Sequence, residues 1–318
     1  MKISMIGSGR WGTFITWYLD SIGHTVKLYG PADTPHMQAL LATRSNGTVT
    51  LPESVELVCD IHALADADVI GISVPSQALH GLMGELCDAG LTDKKFVLCM
   101  KGIDIESGKR LSEIASEGAG HDRVAVWIGP GHPQEFCRGI PNCMVIDSAN
   151  EALKRELVGA FSSKLIRFYY GSDLIGNEVG AAAKNVIGIA AGMLDGMGVS
   201  SLKGALMARG AREVARLIRA MGGNELSAYG LCHLGDYEAT VFSKYSHNRQ
   251  FGESYVKGEA YTDLAEGYYT VKAMMKLADR YKVDLPISAA VYAVLYESVP
   301  PKTAIDALFE RSLKEEFV

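Results

Sequence analysis

The sequence has no cysteine pair at CxxC spacing, no apolar run near the length of a membrane span and no surplus of positive charge. Each absence closes off a class of function. The six cysteines (Cys59, Cys87, Cys99, Cys137, Cys143, Cys232) are scattered, with no histidine at ligand spacing. That excludes a zinc module and predicts ordinary buried thiols in a reducing cytosol, with no metal site. Gly7, Gly9 and Gly12 interrupt the apolar N-terminal segment, so neither a signal-peptide core nor a span of about 20 residues is expected, and the expected location is cytoplasmic. Lysine and arginine number 31 against 37 acidic residues, a formal net charge of -6. Nucleic-acid binders displace counterions with concentrated basic residues, so that partner is excluded. Low-complexity linkers and solenoid-period repeats are also missing.

What is present suits two domains with real cores: 318 residues, 48% apolar and 21% charged. In the first half, short apolar runs alternate with helix-length segments: KISMIG, TVKLYG, DVIGISVP, KFVLCMKG, RVAVWIGP, NCMVIDS and LIRFYYG. Continuous runs of this kind suit strands buried on both faces and joined by crossover helices. A doubly wound, mostly parallel sheet is predicted for residues 1–172. From residue 173 to 318 the apolar residues fall at three and four spacing, as in ALMARGAREVARLIRAMG and YYTVKAMMKLADRYK, which predicts an all-helical second domain. With no linker between them, the two domains should enclose a cleft.

The first strand runs into GSGRWG, which places Gly7, Gly9 and Gly12 at GxGxxG spacing before an amphipathic segment. Such a turn, at a strand-to-helix junction, lets backbone approach a pyrophosphate that the free amides of the helix N-terminus attract. The α/β sheet is therefore read as Rossmann-type, with NAD or NADP as cofactor. The end of the second strand, LYGPADTPH, has neither an acid nor an arginine directly after Tyr29; Asp33 comes late and Arg44 lies beyond, so the two cofactors are not separated there. Pro75, in SVPSQAL after the third predicted strand, is read either as a plain loop start or as part of a nicotinamide-facing loop, and its place at the sheet's carboxyl edge favours the second.

Two lysines are candidates for chemistry. Lys184 lies in GNEVGAAAKNVIGIAAGMLDG, a Gly- and Ala-rich helix that other backbone must approach closely. A lysine buried there either forms a structural ion pair, for example with Glu178, or has its pKa lowered for function. Asn185 beside it can bond a substrate oxygen. Lys101 ends the strand VLCMKG and is either an exposed strand end or a second cation in the cleft. If both converge, each eases the other's deprotonation and together they attract an anion.

GSGRWGT, ADVIGISVPSQAL, KGI, GPGHPQEFCRGIPN, GNEVGAAAKNVIGIAAGMLDGMG, LGDYEAT and SHNRQFGE resemble, in order and spacing, the motifs of the NAD(P)-dependent glycerol-3-phosphate dehydrogenases. The resemblance runs over nearly the whole chain. It implies a Rossmann domain and a helical substrate domain, usually in a homodimer. The implied activity is NAD(P)H-dependent reduction of dihydroxyacetone phosphate, a small phosphorylated substrate, to glycerol 3-phosphate. It makes Lys184 and Asp236 catalytic. Lys101, Gly129, Gly131, Asn185, Asp236, Thr240, Ser246, His247, Asn248 and Arg249 become substrate-binding. Gly7, Ser8, Gly9, Arg10, Trp11, Gly12, Pro75, Lys101, Pro133, His247 and Glu266 become cofactor-binding. Taken alone, Asp236 after Gly235 reads as a turn residue and Thr240 as a cap or packing residue.

Three positions depart from the family pattern. GPS reads GPG, so Gly131 lacks a hydroxyl; Pro133 replaces a small residue; and Arg-Asn-Arg reads His247-Asn248-Arg249. A guanidinium grips phosphate with paired hydrogen bonds, whereas an imidazole is only partly charged near neutrality. Two other functions fit the sequence less closely: a related dehydrogenase acting on another small ketone, and an NAD(P) sensor without turnover.

Overall fold

Strands such as Val69–Ile72 and Val124–Ile128 are buried at every residue, as expected where helices cover both faces of a sheet. The computed structural model describes residues 1–313, 315 and 316. Eight strands form one sheet: β1 (Lys2–Ile6), β2 (Thr25–Tyr29), β3 (Glu56–Val58), β4 (Val69–Ile72), β5 (Lys95–Leu98), β6 (Val124–Ile128), β7 (Asn142–Ser148) and β8 (Ile166–Tyr170). Their order is β3-β2-β1-β4-β5-β6-β7-β8. All neighbours are parallel except β6 and β7, which pair antiparallel from Ala125 with Ser148 to Ile128 with Val145. The sequence predicted seven of the eight; β3 spans three residues and carries no pattern long enough to read. β8 alternates buried and exposed over its first residues, as an edge strand should.

The chain winds outward on both sides of β1, whose neighbours are β2 and β4. Open α/β sheets bind ligands at such a switch point, outside the carboxyl ends of the strands. There Gly7 packs so tightly on the end of β4 that a Cβ would lie 2.2 Å from the Ser73 carbonyl oxygen.

The second body is built on a 23-residue helix, Leu174–Gly196, buried from Val179 to Leu194. Its small residues admit two more helices at backbone contact. A Cβ on Gly192 would sit 1.9 Å from the Arg249 carbonyl oxygen, and one on Gly252 2.1 Å from that of Ile189. These contacts seat helix His247–Lys257 on the long helix, and helix Glu266–Tyr281 crosses it where Gly267 meets the Asn185 carbonyl. The segment with SHNRQFG is thus a helix start, with Ser246 as N-cap accepting from Arg249 N at 3.3 Å.

The expectation that all the thiols are buried fails. Cys59, Cys87 and Cys137 are exposed, Cys143 is half-buried, and only Cys99 and Cys232 are buried. Among the described residues no helix is long and apolar enough to cross a membrane, and no cluster of three or more His, Cys, Asp or Glu side chains could hold a metal ion.

Candidate active site

Asp236 stands in a short 3-10 turn, Leu234–Asp236, and is 1% exposed. Its Oδ2 accepts from Lys101 Nζ at 2.7 Å and from Lys184 Nζ at 2.8 Å. Lys101 comes from the carboxyl edge of the sheet and Lys184 from the middle of the long helix, so one oxygen joins the two bodies. The turn-residue alternative for Asp236 is thereby set aside. So is an ion pair between Lys184 and Glu178, because Glu178 is held by Arg110 Nη1 at 2.6 Å and by Ser112 N and Oγ at 2.9 and 2.6 Å.

The segment after Asp236 is clamped to the long helix by a histidine relay. His233 Nδ1 lies 2.8 Å from the Gly180 carbonyl, to which it can only donate; Nε2 then accepts from the Tyr237 hydroxyl at 2.7 Å. Burial lowers the His233 pKa to about 4, which keeps that neutral tautomer. A π-helical turn, Glu238–Phe242, follows and presents Thr240, the kind of local distortion that re-aims a side chain. Thr240 Oγ1 accepts from Lys184 Nζ at 2.8 Å.

An ammonium has three N–H donors. Lys184 commits two, to Thr240 and Asp236, and Lys101 commits two, to Gly129 O at 2.6 Å and to Asp236. One donor on each remains for a ligand. Burial pushes the Lys184 pKa down to about 8; the Asp236 charge opposes this and Lys101 reinforces it. Asn185, on the same helix, accepts from Asn248 Nδ2 at 3.1 Å through its Oδ1. Asn248 Oδ1 in turn accepts from Gly267 N at 2.8 Å. Asn248 is therefore a brace that leaves the Asn185 amide donors for a ligand.

Arg249 does not join this group. Its guanidinium pairs with Asp195 Oδ2 at 2.7 Å and Glu253 Oε2 at 3.2 Å, and Asp195 lies about 16 Å further along the helix axis than Lys184 at about 1.5 Å rise per residue. Through these pairs Arg249 ties two helices together. Ser246 Oγ is engaged as the N-cap. His247 is the member of this stretch that faces the dinucleotide turn. Its Nδ1 lies 2.7 Å from the Tyr261 hydroxyl and 3.5 Å from Asp263 Oδ2. Burial and the Arg10 charge hold it below its ordinary pKa of 6.5, so the imidazole is mainly neutral at pH 7. Tyr261 and Asp263 were missed in the sequence, because they lie in a stretch without motif or period.

At the nucleotide end the residues fit a dinucleotide. A Cβ on Gly12 would lie 2.0 Å from Gly7 O, whereas one on Gly9 would meet no protein atom within 4 Å. The backbone at Gly9 is thus open to a ligand, and the helix Arg10–Ser21 that follows has no side-chain cap on its first amides. Ser8 is buried beneath the turn. The Trp11 ring packs on Phe14 and Phe136, at 5.2 and 6.4 Å, so it buttresses the turn. Arg44 spends Nε and Nη2 on the carbonyls of Leu51, Pro52 and Val55, which leaves Nη1 alone for a ribose phosphate. Pro75 precedes Ser76, whose N and Oγ donate to Glu266 at 2.9 and 2.6 Å. Glu266 therefore ties the helical body to the loop after β4.

The turn after β6 is rebuilt around its glycines. Gly129 and Gly131 have φ of 136° and 142°, outside the range an L side chain readily adopts, and a Cβ at Gly131 would lie 2.3 Å from the Phe136 ring. The missing hydroxyl is excluded by both backbone and neighbour. Pro133 opens the short helix Pro133–Phe136, a position that needs no N–H.

A dinucleotide turn facing a buried lysine across the carboxyl edge of a parallel sheet defines a nicotinamide-dependent dehydrogenase. Profiles described as NAD-dependent glycerol-3-phosphate dehydrogenase N-terminus and C-terminus match residues 2–154 and 173–306. The chain belongs to this family. It is 39% identical to glycerol-3-phosphate dehydrogenase [NAD(P)+] of Prosthecochloris aestuarii, over 99% of this chain and 100% of that one. Identity to the enzyme of that name from a Thermoanaerobacter is 33%, over 99% of each chain. The crystal structure of glycerol-3-phosphate dehydrogenase from Coxiella burnetii superposes with a TM-score of 0.90 at 28% identity, covering 98% of this chain and 99% of that one.

Proposed function

We propose that the chain reduces dihydroxyacetone phosphate to glycerol 3-phosphate, reversibly and with NADH or NADPH, a reading supported by relatives named glycerol-3-phosphate dehydrogenase [NAD(P)+]. The single observation that carries the mechanism is the oxygen of Asp236 shared by Lys101 and Lys184. Bound NAD(P)H supplies the hydride. As the carbonyl carbon gains that hydride, negative charge develops on its oxygen, and the free N–H of each lysine stabilises it. Lys184 then gives a proton to the oxygen, leaving a neutral amine and a hydroxyl. With its pKa lowered to about 8, Lys184 is mainly protonated at pH 7 yet near enough to neutrality to give the proton up, and in the oxidative direction the amine takes it back. Thr240 and Asp236 fix the direction of the remaining N–H. Asn185 offers a neutral donor.

The site residues in these roles, a division between residues 172 and 173, cytoplasmic location and a homodimer belong to the same proposal, as does a supply of glycerol 3-phosphate for glycerophospholipids. It is tested by following NADH and NADPH absorbance with purified protein and dihydroxyacetone phosphate. Turnover is expected with at least one cofactor. Folded protein that turns over neither refutes the assignment.

A further inference from the structure

Among the described residues three buried side-chain polar atoms have no hydrogen-bond partner: Asn46 Nδ2, Gln134 Oε1 and His132 Nε2. His132 lies within electrostatic reach of Lys184, Asp236, Arg10 and Lys101. It follows the Gly129–Gly131 turn, whose Gly129 carbonyl holds Lys101 Nζ at 2.6 Å. The residue is 7% exposed, and its ring sets its edge against Tyr245, with centroids 5.6 Å apart at 64°. Its carbonyl is occupied by Glu135 N and Phe136 N, so the backbone there is fixed. A buried nitrogen left without a partner costs about 1–3 kcal/mol, and such a cost within electrostatic reach of the lysine pair points to a ligand atom.

We propose that His132 Nε2 hydrogen-bonds the hydroxyl on the substrate carbon next to the reacting carbonyl, replacing a contact that no side chain at position 131 can make. The proposal rests on dihydroxyacetone phosphate being the substrate. Three kinds of oxygen compete for the groups in the cleft. The reacting oxygen takes the free N–H of Lys184 and of Lys101. The phosphate calls for charge, and His132 has none to offer: burial and then the Lys184 charge lower its pKa to about 4, with Arg10 and Lys101 adding to the effect against Asp236. A neutral imidazole matches the neutral hydroxyl. Gly131 cannot compete, since its φ of 142° and the Phe136 ring exclude a side chain.

The experiment compares wild type, His132→Phe and His132→Gln on dihydroxyacetone phosphate and on hydroxyacetone phosphate, which lacks that hydroxyl. Melting curves and NADH affinity are measured alongside. On dihydroxyacetone phosphate H132F is expected to lose about 10- to 100-fold in kcat/KM, while H132Q, which keeps a polar nitrogen in reach, recovers most of it. On hydroxyacetone phosphate wild type and H132F should be within about twofold of each other, because the hydroxyl and its partner act as one unit. A merely structural role would instead lower both substrates equally, and that result overturns the proposal. So does an H132F variant that matches wild type on dihydroxyacetone phosphate. If H132F does not fold, His132→Leu makes the same deletion. Wild-type protein inert toward dihydroxyacetone phosphate would remove the functional assignment and this proposal together, whereas activity with no His132 effect would remove this proposal alone.

Discussion

Replacing Asp236 with asparagine keeps the shape of the shared oxygen and removes its charge, leaving the buried ammonium of Lys184 facing the half-buried one of Lys101. At 2.8 Å the bare attraction between Asp236 and Lys184 is about 6 kcal/mol at an effective dielectric of about 20, an upper bound. Opposite charges at such range hold a pKa up by about 1–3 units. The Lys184 pKa should therefore fall from about 8 to about 5–7. The sign for catalysis follows. Reduction uses protonated Lys184, so its rate declines as pH rises through that pKa; oxidation uses the neutral amine, so its rate climbs. In Asp236→Asn the declining limb of kcat for reduction should move down by about 1–3 units, and titration alone should lower the rate at pH 7 by roughly 2- to 100-fold. Lys101→Met gives the opposite shift, because it removes a like charge that depresses Lys184. The assay is kcat against pH from 5 to 9 in both directions, with NADH binding as a control for folding. A limb that stays near pH 8 in D236N would refute either Lys184 as the proton donor or Asp236 as its counter-charge.

His247→Arg restores a permanent cation. In wild type the affinity for dihydroxyacetone phosphate should rise as pH falls below 6.5, since His247 is held under that ordinary value and charges only there; in H247R, KM at pH 7 should fall and the excess pH dependence disappear. Arg249→Ala should lower stability by roughly 1–3 kcal/mol, the range for hydrogen bonds to charged groups, by melting, with KM changed less than about twofold; a KM increase above about tenfold would put its guanidinium on the substrate. Gly9→Ala should leave the melting temperature unchanged, because its Cβ meets no protein atom, and should weaken NADH binding by about tenfold or more in a fluorescence titration, since the methyl would occupy the path of the pyrophosphate.

The fold was legible wherever burial on two faces wrote a continuous apolar run, as in VAVWI and VIGI. It was illegible where three residues made a strand, as in ELV. Lys184 could be singled out because a lone charge in a Gly- and Ala-rich helix has no solvated face to occupy. The partner of that charge could not be found the same way. Asp236 reaches Lys184 from 52 positions along the chain, through the His233 and Tyr237 clamp, and nothing local to Gly235-Asp236 distinguishes it from a turn. The ion pairs of Arg249 were hidden for a related reason: motif spacing gives a residue's position on the chain, but its direction depends on which face of helix His247–Lys257 lies on the long helix. His132 stood between two residues that drew notice, and its missing partner is visible only once the Phe136 ring and the Lys101 contact to Gly129 are in place.

The departures from the family pattern fall on one function. In the proposed mechanism Lys101, Lys184, Asp236 and Thr240 handle the developing charge and the proton, and they are interlocked: changing Asp236 breaks two ion pairs, and changing Thr240 frees a lysine donor. That coupling leaves little room for piecemeal substitution. Recognition of the substrate's other oxygens is distributed over both walls of the cleft, so contacts there can be exchanged. Gly131 and Pro133, which flank His132, differ on the sheet side and His247 on the helical side. Arg10 lies within electrostatic reach of both histidines and stays charged at any physiological pH. At neutral pH, where His247 is mainly uncharged, the positive potential beside it comes from Arg10 on the dinucleotide helix. Under the proposed function, part of the grip on the anion passes from the substrate body to the cofactor body, while the lysine pair keeps its role in the reduction.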